Sequence, residues 1–402
     1  MVSIELQLLI EACKRELLPN PGSSVEPAIQ NELIDWNKLQ KMVGYHSLRP
    51  IVYHYLKKRE HLRLSAPKTF LEELHTTTLR KSIRQWKNTE ELERVLLLLE
   101  SSQIPAFPYK GALLSKLLYG DHNLREWSDI DLFIPKKFAE SALTLLMEDG
   151  YQFSELHPAG NSAQLSIHEV VTVAGWHEIS LSKKAENGSS YQLDFHWLLS
   201  ETFYPYEIDE NELLHNSTRI KLLHTEVVAP SLNYTVLMTI LHHGGRESWM
   251  RLKFMCDLAL FLTQYPAPQF WADVLALAQK AKLKESLLLG CFCLEKIFDF
   301  PLPEVIKHHM GTQKREYKLI LQSWENADSF WENPRAQVLH KRILLGHQDS
   351  GFSAWKYWKS YVGFYTTPNP IEEPRLVTFP EKYKTANFLS KVITYLWKKG
   401  RR

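Results

Sequence analysis

Two carboxylates two residues apart, Asp129 and Asp131 in the run Trp127-Ser128-Asp129-Ile130-Asp131-Leu132-Phe133-Ile134, are the side chains best suited to hold a divalent cation. Alternate residues of an extended strand share a face. Asp129, Asp131 and Phe133 therefore point one way, and Ile130, Leu132 and Ile134 point into a core. Positions i and i+2 lie about 6–7 Å apart along the backbone, near enough to share one ion. Like charges so placed repel unless a cation or a proton stands between them. Magnesium held between carboxylates and the phosphate oxygens of a nucleoside triphosphate answers that need.

Other residues of matching chemistry flank the pair. Upstream, the extended run Ile104-Pro105-Ala106-Phe107-Pro108-Tyr109-Lys110 meets Gly111. Ala112, Leu113, Leu114, Leu117 and Leu118 then recur at helical spacing until Gly120. A strand that turns at glycine directly into a helix offers backbone N–H groups to a phosphate, which glycine lets approach closely. Arg125 supplies a fixed cation for phosphate, and Ser128 a small hydroxyl donor. Downstream, Tyr191-Gln192-Leu193-Asp194-Phe195-His196-Trp197 alternates, with Gln192, Asp194 and His196 on its polar face. It follows Trp176-His177-Glu178-Ile179-Ser180-Leu181 across a loop containing Asn187-Gly188, a hairpin signal. Asp194 is thus a candidate third carboxylate beside the first two.

Lys110-Gly111-Ala112, Tyr119, Arg125, Ser128-Asp129-Ile130-Asp131-Leu132 and Leu193-Asp194-Phe195-His196-Trp197 together resemble the bacterial nucleotidyltransferase family 5. That family belongs to the superfamily sharing the DNA polymerase β-like nucleotidyltransferase fold. The resemblance runs at motif level from Gln103 to Trp197, and more loosely into the helical regions on either side. Ala112 stands where the superfamily usually has Ser or Gly, which removes one donor to phosphate. The gap from Gly111 to Asp129 is also longer than in polymerase-like members.

The resemblance implies two Mg2+ ions, with Mn2+ as an alternative, held by Asp129, Asp131 and Asp194 as catalytic and metal-binding residues. It implies nucleotide contacts from Lys110, Gly111, Arg125 and Ser128. His243 and Arg251 join them because the family's helical C-terminal part carries a His-Gly turn followed by Arg-Leu and Asp-Leu pairs. The reaction would move a nucleoside monophosphate from an NTP, ATP first among them, to a hydroxyl on a small molecule, a protein side chain or an RNA end, with release of pyrophosphate. Two alternatives stand beside it. One is a non-catalytic nucleotide-binding or partner module that keeps the fold; the other is a hydrolase using the same acids on phosphate esters.

Adjacent histidines on an α-helix diverge by about 100°, so His242 and His243 are read as poor joint metal ligands, and Gly244-Gly245 as a helix terminator.

Composition excludes little. The 402 residues carry a net charge of +2, with 44% hydrophobic and 12% aromatic side chains, enough for substantial cores but not for broad electrostatic wrapping of nucleic acid. Cys13, Cys256, Cys291 and Cys293 form neither a zinc spacing nor a disulfide framework, and read as buried thiols of a reducing compartment. With neither a signal-peptide pattern nor a membrane-length apolar run, a cytoplasmic protein is expected.

The expected architecture is α+β, a nucleotidyltransferase-type mixed sheet flanked by helical N- and C-terminal regions. Its boundaries fall at 1–102 (helical), 103–205 (α/β core), 206–366 (helical) and 367–402. This last part is a connector with Pro368, Pro370, Pro374 and Pro380, then a basic helix patterned through Phe388, Val392 and Leu396. The ending Lys398-Lys399-Gly400-Arg401-Arg402 reads as a solvated tail, or as a weak attachment to RNA or an anionic membrane.

Overall fold

The computed structural model describes residues 2–21, 33–120, 124–154, 166–172, 176–185, 188–311, 314–325, 334–346, 351–366, 377, 379–380 and 382–399. It is α+β, and the chain forms two compact units that interleave along the sequence. Residues 1–96, 108–130 and 207–349 make the first; residues 97–107, 131–206 and 350–402 make the second.

The first unit is built mainly from helices. Helix Ile4–Leu17 begins where the Ser3 hydroxyl accepts the Leu6 N–H, and it buries Leu6, Leu9, Ala12 and Cys13 at i, i+3, i+4 spacing. Asp35 caps helix Trp36–His46 by accepting the N–H groups of Asn37 and Lys38, each at 3.0 Å. The long helix Lys68–Ser101 buries Leu92, Val95 and Leu96 and exposes Ile83 and Trp86. Helices Leu252–Gln264 and Lys284–Phe298 are buried along most of their length, Cys256, Cys291 and Cys293 included.

Gly244 and Gly245 do not terminate a helix. Helix Leu232–Ile240 passes into a π-turn over Leu241–Arg246 in which both glycines are buried. A Cβ on Gly244 would meet Ser286 Oγ and the Trp249 indole, 2.6 Å from its Nε1. A Cβ on Gly290 would lie 2.7 Å from the same ring. The two glycines make room for a tryptophan that is 0% exposed, with its Nε1–H bonded to Ser286 O at 2.9 Å.

The second unit carries the five-stranded sheet, in the order β1-β2-β5-β4-β3. The strands are β1 (Phe107–Pro108), β2 (Ile130–Phe133), β3 (Gln152–Phe153), β4 (Glu178–Lys184) and β5 (Ser190–His196). The extended run from Ile104 narrows to β1, and a helix, Ala139–Glu148, follows β2. The anticipated hairpin is β4–β5, paired antiparallel with Glu178 opposite His196 and Ser180 opposite Asp194. Asn187 of its loop lies outside the described residues. One face of the hairpin, Ile179, Leu181, Leu193 and Phe195, is wholly buried, as are Leu132 and Phe133 of β2.

No described helix is long and apolar enough to cross a membrane. The residues of the proline-rich connector from 367 to 376, the ending 400–402, and the side chains of Phe388, Val392 and Leu396 are outside the described set. Among its described side chains, helix Lys384–Lys399 buries Asn387, Ser390 and Thr394 and exposes Leu389, Ile393 and Trp397.

Candidate active site

Alternation on β4 and β5 sets Glu178 and Ser180 on the same face as Asp194 and His196, opposite the buried Ile179, Leu181, Leu193 and Phe195. Asp131, on the neighbouring β2, joins them through His196, whose Nε2 lies 3.2 Å from Asp131 Oδ1. The backbone fixes this registry, because the Ile134 N–H donates to His196 O at 2.9 Å. The Ser180 hydroxyl donates to Asp194 Oδ1 at 2.7 Å. Burial, followed by the negative charge of Asp131, pushes the Asp194 carboxyl up to about 6 against the opposing effects of Ser180 and His196. Two like charges are therefore held near one another at a partly buried sheet face, as a cation site requires.

Beside them is a further cluster. Glu178 Oε2 lies 2.9 Å from His196 Nδ1 and 3.0 Å from His177 Nε2. Burial would raise the Glu178 carboxyl, but the two imidazoles outweigh it and hold it well below the usual range.

The remaining expected residues belong to the first unit. Asp129 precedes β2 and accepts the Ser128 hydroxyl at 2.7 Å. Helix Lys68–Ser101 holds the loop before it. Gln85 Nε2 donates to the carbonyls of Arg125 (2.9 Å) and Trp127 (3.1 Å), and Asn88 Nδ2 to that of Ser128 (2.7 Å). Gly111 opens a short helix, Gly111–Leu114, that continues as a π-turn over Ser115–Tyr119. A Cβ there would stand 3.2 Å from the Trp127 ring and 3.5 Å from Asp129 O, so this glycine permits close packing of the Asp129 loop. Lys110, just before it, takes φ +56°, and its Nζ lies 4.6 Å from the Tyr109 ring centroid. Arg251 sits ahead of helix Leu252–Gln264, its guanidinium 5.7 Å from the Tyr45 ring centroid.

Arg125 and His243 converge on Asp257, which is 0% exposed. Arg125 gives it Nε and Nη2 at 3.0 and 2.9 Å, Tyr119 its hydroxyl at 2.7 Å, and His243 its Nε2–H at 2.8 Å. Burial alone would raise the Asp257 carboxyl, but Arg125 and His243 drive it far below the usual range. Arg125 Nη1 also donates to Gly111 O at 3.3 Å, which ties this network to the glycine turn. Burial pulls His243 down to about 4 and His242 well below its ordinary value, so both rings are neutral. His243 Nδ1 therefore accepts from His242 Nδ1–H at 2.8 Å. The two adjacent rings meet rather than diverge, because the π-turn changes their relative direction from that of an α-helix.

Glu178, Ser180, Gln85, Asn88 and Asp257 were not among the expected site residues. Glu178 and Ser180 had a signal in the sequence, since they alternate along β4 as Asp194 and His196 do along β5. Asp257 falls in the Asp-Leu pair of the family resemblance, whereas Gln85 and Asn88 had no signal, because their roles depend on tertiary neighbours.

An α+β fold whose sheet carries acidic side chains at the β2, β4 and β5 positions defines the class. The chain belongs to the family described as "Uncharacterised nucleotidyltransferase", whose profile matches residues 32–299. Among solved structures, an antigenic nucleotidyltransferase-like protein from Paracoccidioides brasiliensis is similar at 15% identity and a TM-score of 0.32, over 55% of this chain and 97% of that one. No curated protein shows significant similarity.

Proposed function

We propose that this nucleotidyltransferase transfers a nucleoside monophosphate from an NTP, ATP first among them, to a hydroxyl acceptor, with magnesium bound through Asp131 and Asp194, and with Asp129 assigned to the ion by the family resemblance alone. The observation that carries the reading is that Asp131 on β2 meets His196 of the adjacent β5, two residues from Asp194 and on the same strand face. The donors fit the ion: carboxylate oxygens suit magnesium, and each has a neighbour that aims it. His196 orients Asp131, and Ser180 orients Asp194. Bound magnesium would supply charge neutralisation for the triphosphate and the departing pyrophosphate.

Lys110, Gly111, Ser128 and Arg251 are assigned to the nucleotide by the family resemblance alone. Arg125 and His243 are assigned a positioning role, because both are spent on Asp257 in the interior. Nothing in the residues selects the acceptor. A small molecule, a protein side chain and an RNA end are all chemically suitable.

The test is to incubate purified protein with each NTP and Mg2+ and follow pyrophosphate release and self-labelling, with Asp131→Asn as control. Turnover abolished by the substitution supports the assignment. Nucleotide retained without turnover, in both proteins, would replace it with a binding module. Release of inorganic phosphate or nucleoside monophosphate without an acceptor would make it a hydrolase.

A further inference from the structure

The geometry points to a transition-metal site formed by His177, Glu178 and His196, separate in its donors from the magnesium carboxylates. His177 Nε2, Glu178 Oε2 and His196 Nδ1 all lie within 4.8 Å of one another. Ligands about 2.0–2.2 Å from a tetrahedral ion stand roughly 3.3–3.5 Å apart, so the observed 2.9 and 3.0 Å separations need to open by only a few tenths of an ångström. Glu201 Oε2, 4.0 Å from His177 Nε2, is within reach as a fourth ligand.

The backbone organises these donors in advance. Glu178 and His196 are directly opposed in the β4–β5 ladder. His177 is fixed to the end of β5 because its carbonyl accepts the N–H groups of Trp197 and Leu198 at 2.9 and 3.1 Å. Two imidazole nitrogens with one or two carboxylates favour Zn2+, Co2+ or Mn2+ over Mg2+, which prefers oxygen. The second nitrogen of His196 supports the same reading. A metal-bound histidine commonly donates its other N–H to a carboxylate, and here Nε2 faces Asp131 Oδ1 at 3.2 Å. An ion on Nδ1 thus sets the ring that orients Asp131, while the carboxylates proposed for magnesium keep their own role.

The experiment uses the full-length, metal-free protein titrated with Co2+, followed by visible d–d absorption and calorimetry in a large excess of Mg2+. One equivalent should bind, with the absorption of a nitrogen-containing low-coordinate site, and Zn2+ should displace it. His177→Asn and Glu178→Gln should each weaken Co2+ binding at least tenfold with far-UV circular dichroism unchanged, whereas Asp194→Asn should retain it. Imidazole nitrogen spectra of the unsubstituted protein provide a second measurement, since Zn2+ must shift two ring systems together. Absence of the visible band, Co2+ affinity in both variants equal to that of the unsubstituted protein, or failure of Zn2+ to shift any histidine would overturn the site, and a protonated His196 bridging Asp131 and Glu178 would take its place. An unsubstituted protein that binds cobalt but turns over no NTP with Mg2+ present would instead count against the proposed nucleotidyl transfer alone.

Discussion

Asp194 shows how far burial, and after it a neighbouring charge, changes what a carboxylate does. Its folded pKa of about 6 lies above its ordinary 3.8, so the protonated form is favoured in the native state. The associated stability is complete below about pH 4 and is lost as pH rises through about 6, a penalty of ~3 kcal/mol once the group is fully ionised. Magnesium between the carboxylates relieves that repulsion. Thermal melts should therefore show a Mg2+-induced rise in Tm that grows between pH 5 and 7.5, and that Asp194→Asn largely removes; a rise independent of pH would contradict this. Asp257 presents the opposite case, a buried charge satisfied by Arg125, Tyr119 and His243. Asp257→Asn should destabilise the protein by about 3–5 kcal/mol in urea unfolding, because Arg125 is left without its counter-charge. At this scale residue type and alternation singled out the three acids as candidates, and the alternation that sets Asp194 on the same face of β5 as His196 is present. Arg125 and His243, expected at the nucleotide, both bond Asp257, which lies 132 residues from Arg125 and 14 from His243, a convergence that local pattern does not encode.

Elements were legible where a period was clear. The β4–β5 hairpin, helix Ala139–Glu148 and the stop at Gly120, which takes φ +64°, all follow from local pattern. The pairing register was not legible, and it is the register that sets Glu178 against His196 and Ser180 against Asp194. A one-residue slip would send those side chains to the other face. Gly244 and Gly245 were misread for a related reason, since a glycine that ends a helix and one that admits a tryptophan look alike in sequence. The distinction is testable. Gly244→Ala should cost about 1–3 kcal/mol in chemical denaturation by driving a methyl group into the Trp249 indole. Trp249→Phe in the Gly244→Ala background should recover part of that loss, whereas a terminator glycine would show no such coupling.

At the scale of the molecule, composition and helical pattern announced large helical cores, but not that the chain passes repeatedly between two units. Interleaving of this kind is set by tertiary contacts between distant segments, which local periodicity does not encode. It has a consequence for dissection. Residues 103–205 contain Asp129, Asp131, Asp194 and all of the five-stranded sheet. Yet residues 108–130 belong to a unit completed by 1–96 and 207–349, where Gln85, Asn88 and Asp257 hold the loop that carries Asp129. Excised, the fragment would keep Arg125 without its carboxylate partner and Trp127 without the helix that anchors its carbonyl. Fragment 103–205 should therefore lack a cooperative thermal transition by circular dichroism and should show no Mg2+-dependent rise in Tm, while the full-length chain shows both. A sharp transition in the isolated fragment, close to that of the intact protein, would mean that the sheet and its acids form a self-sufficient domain and that the buried Arg125–Asp257 pair is dispensable to them.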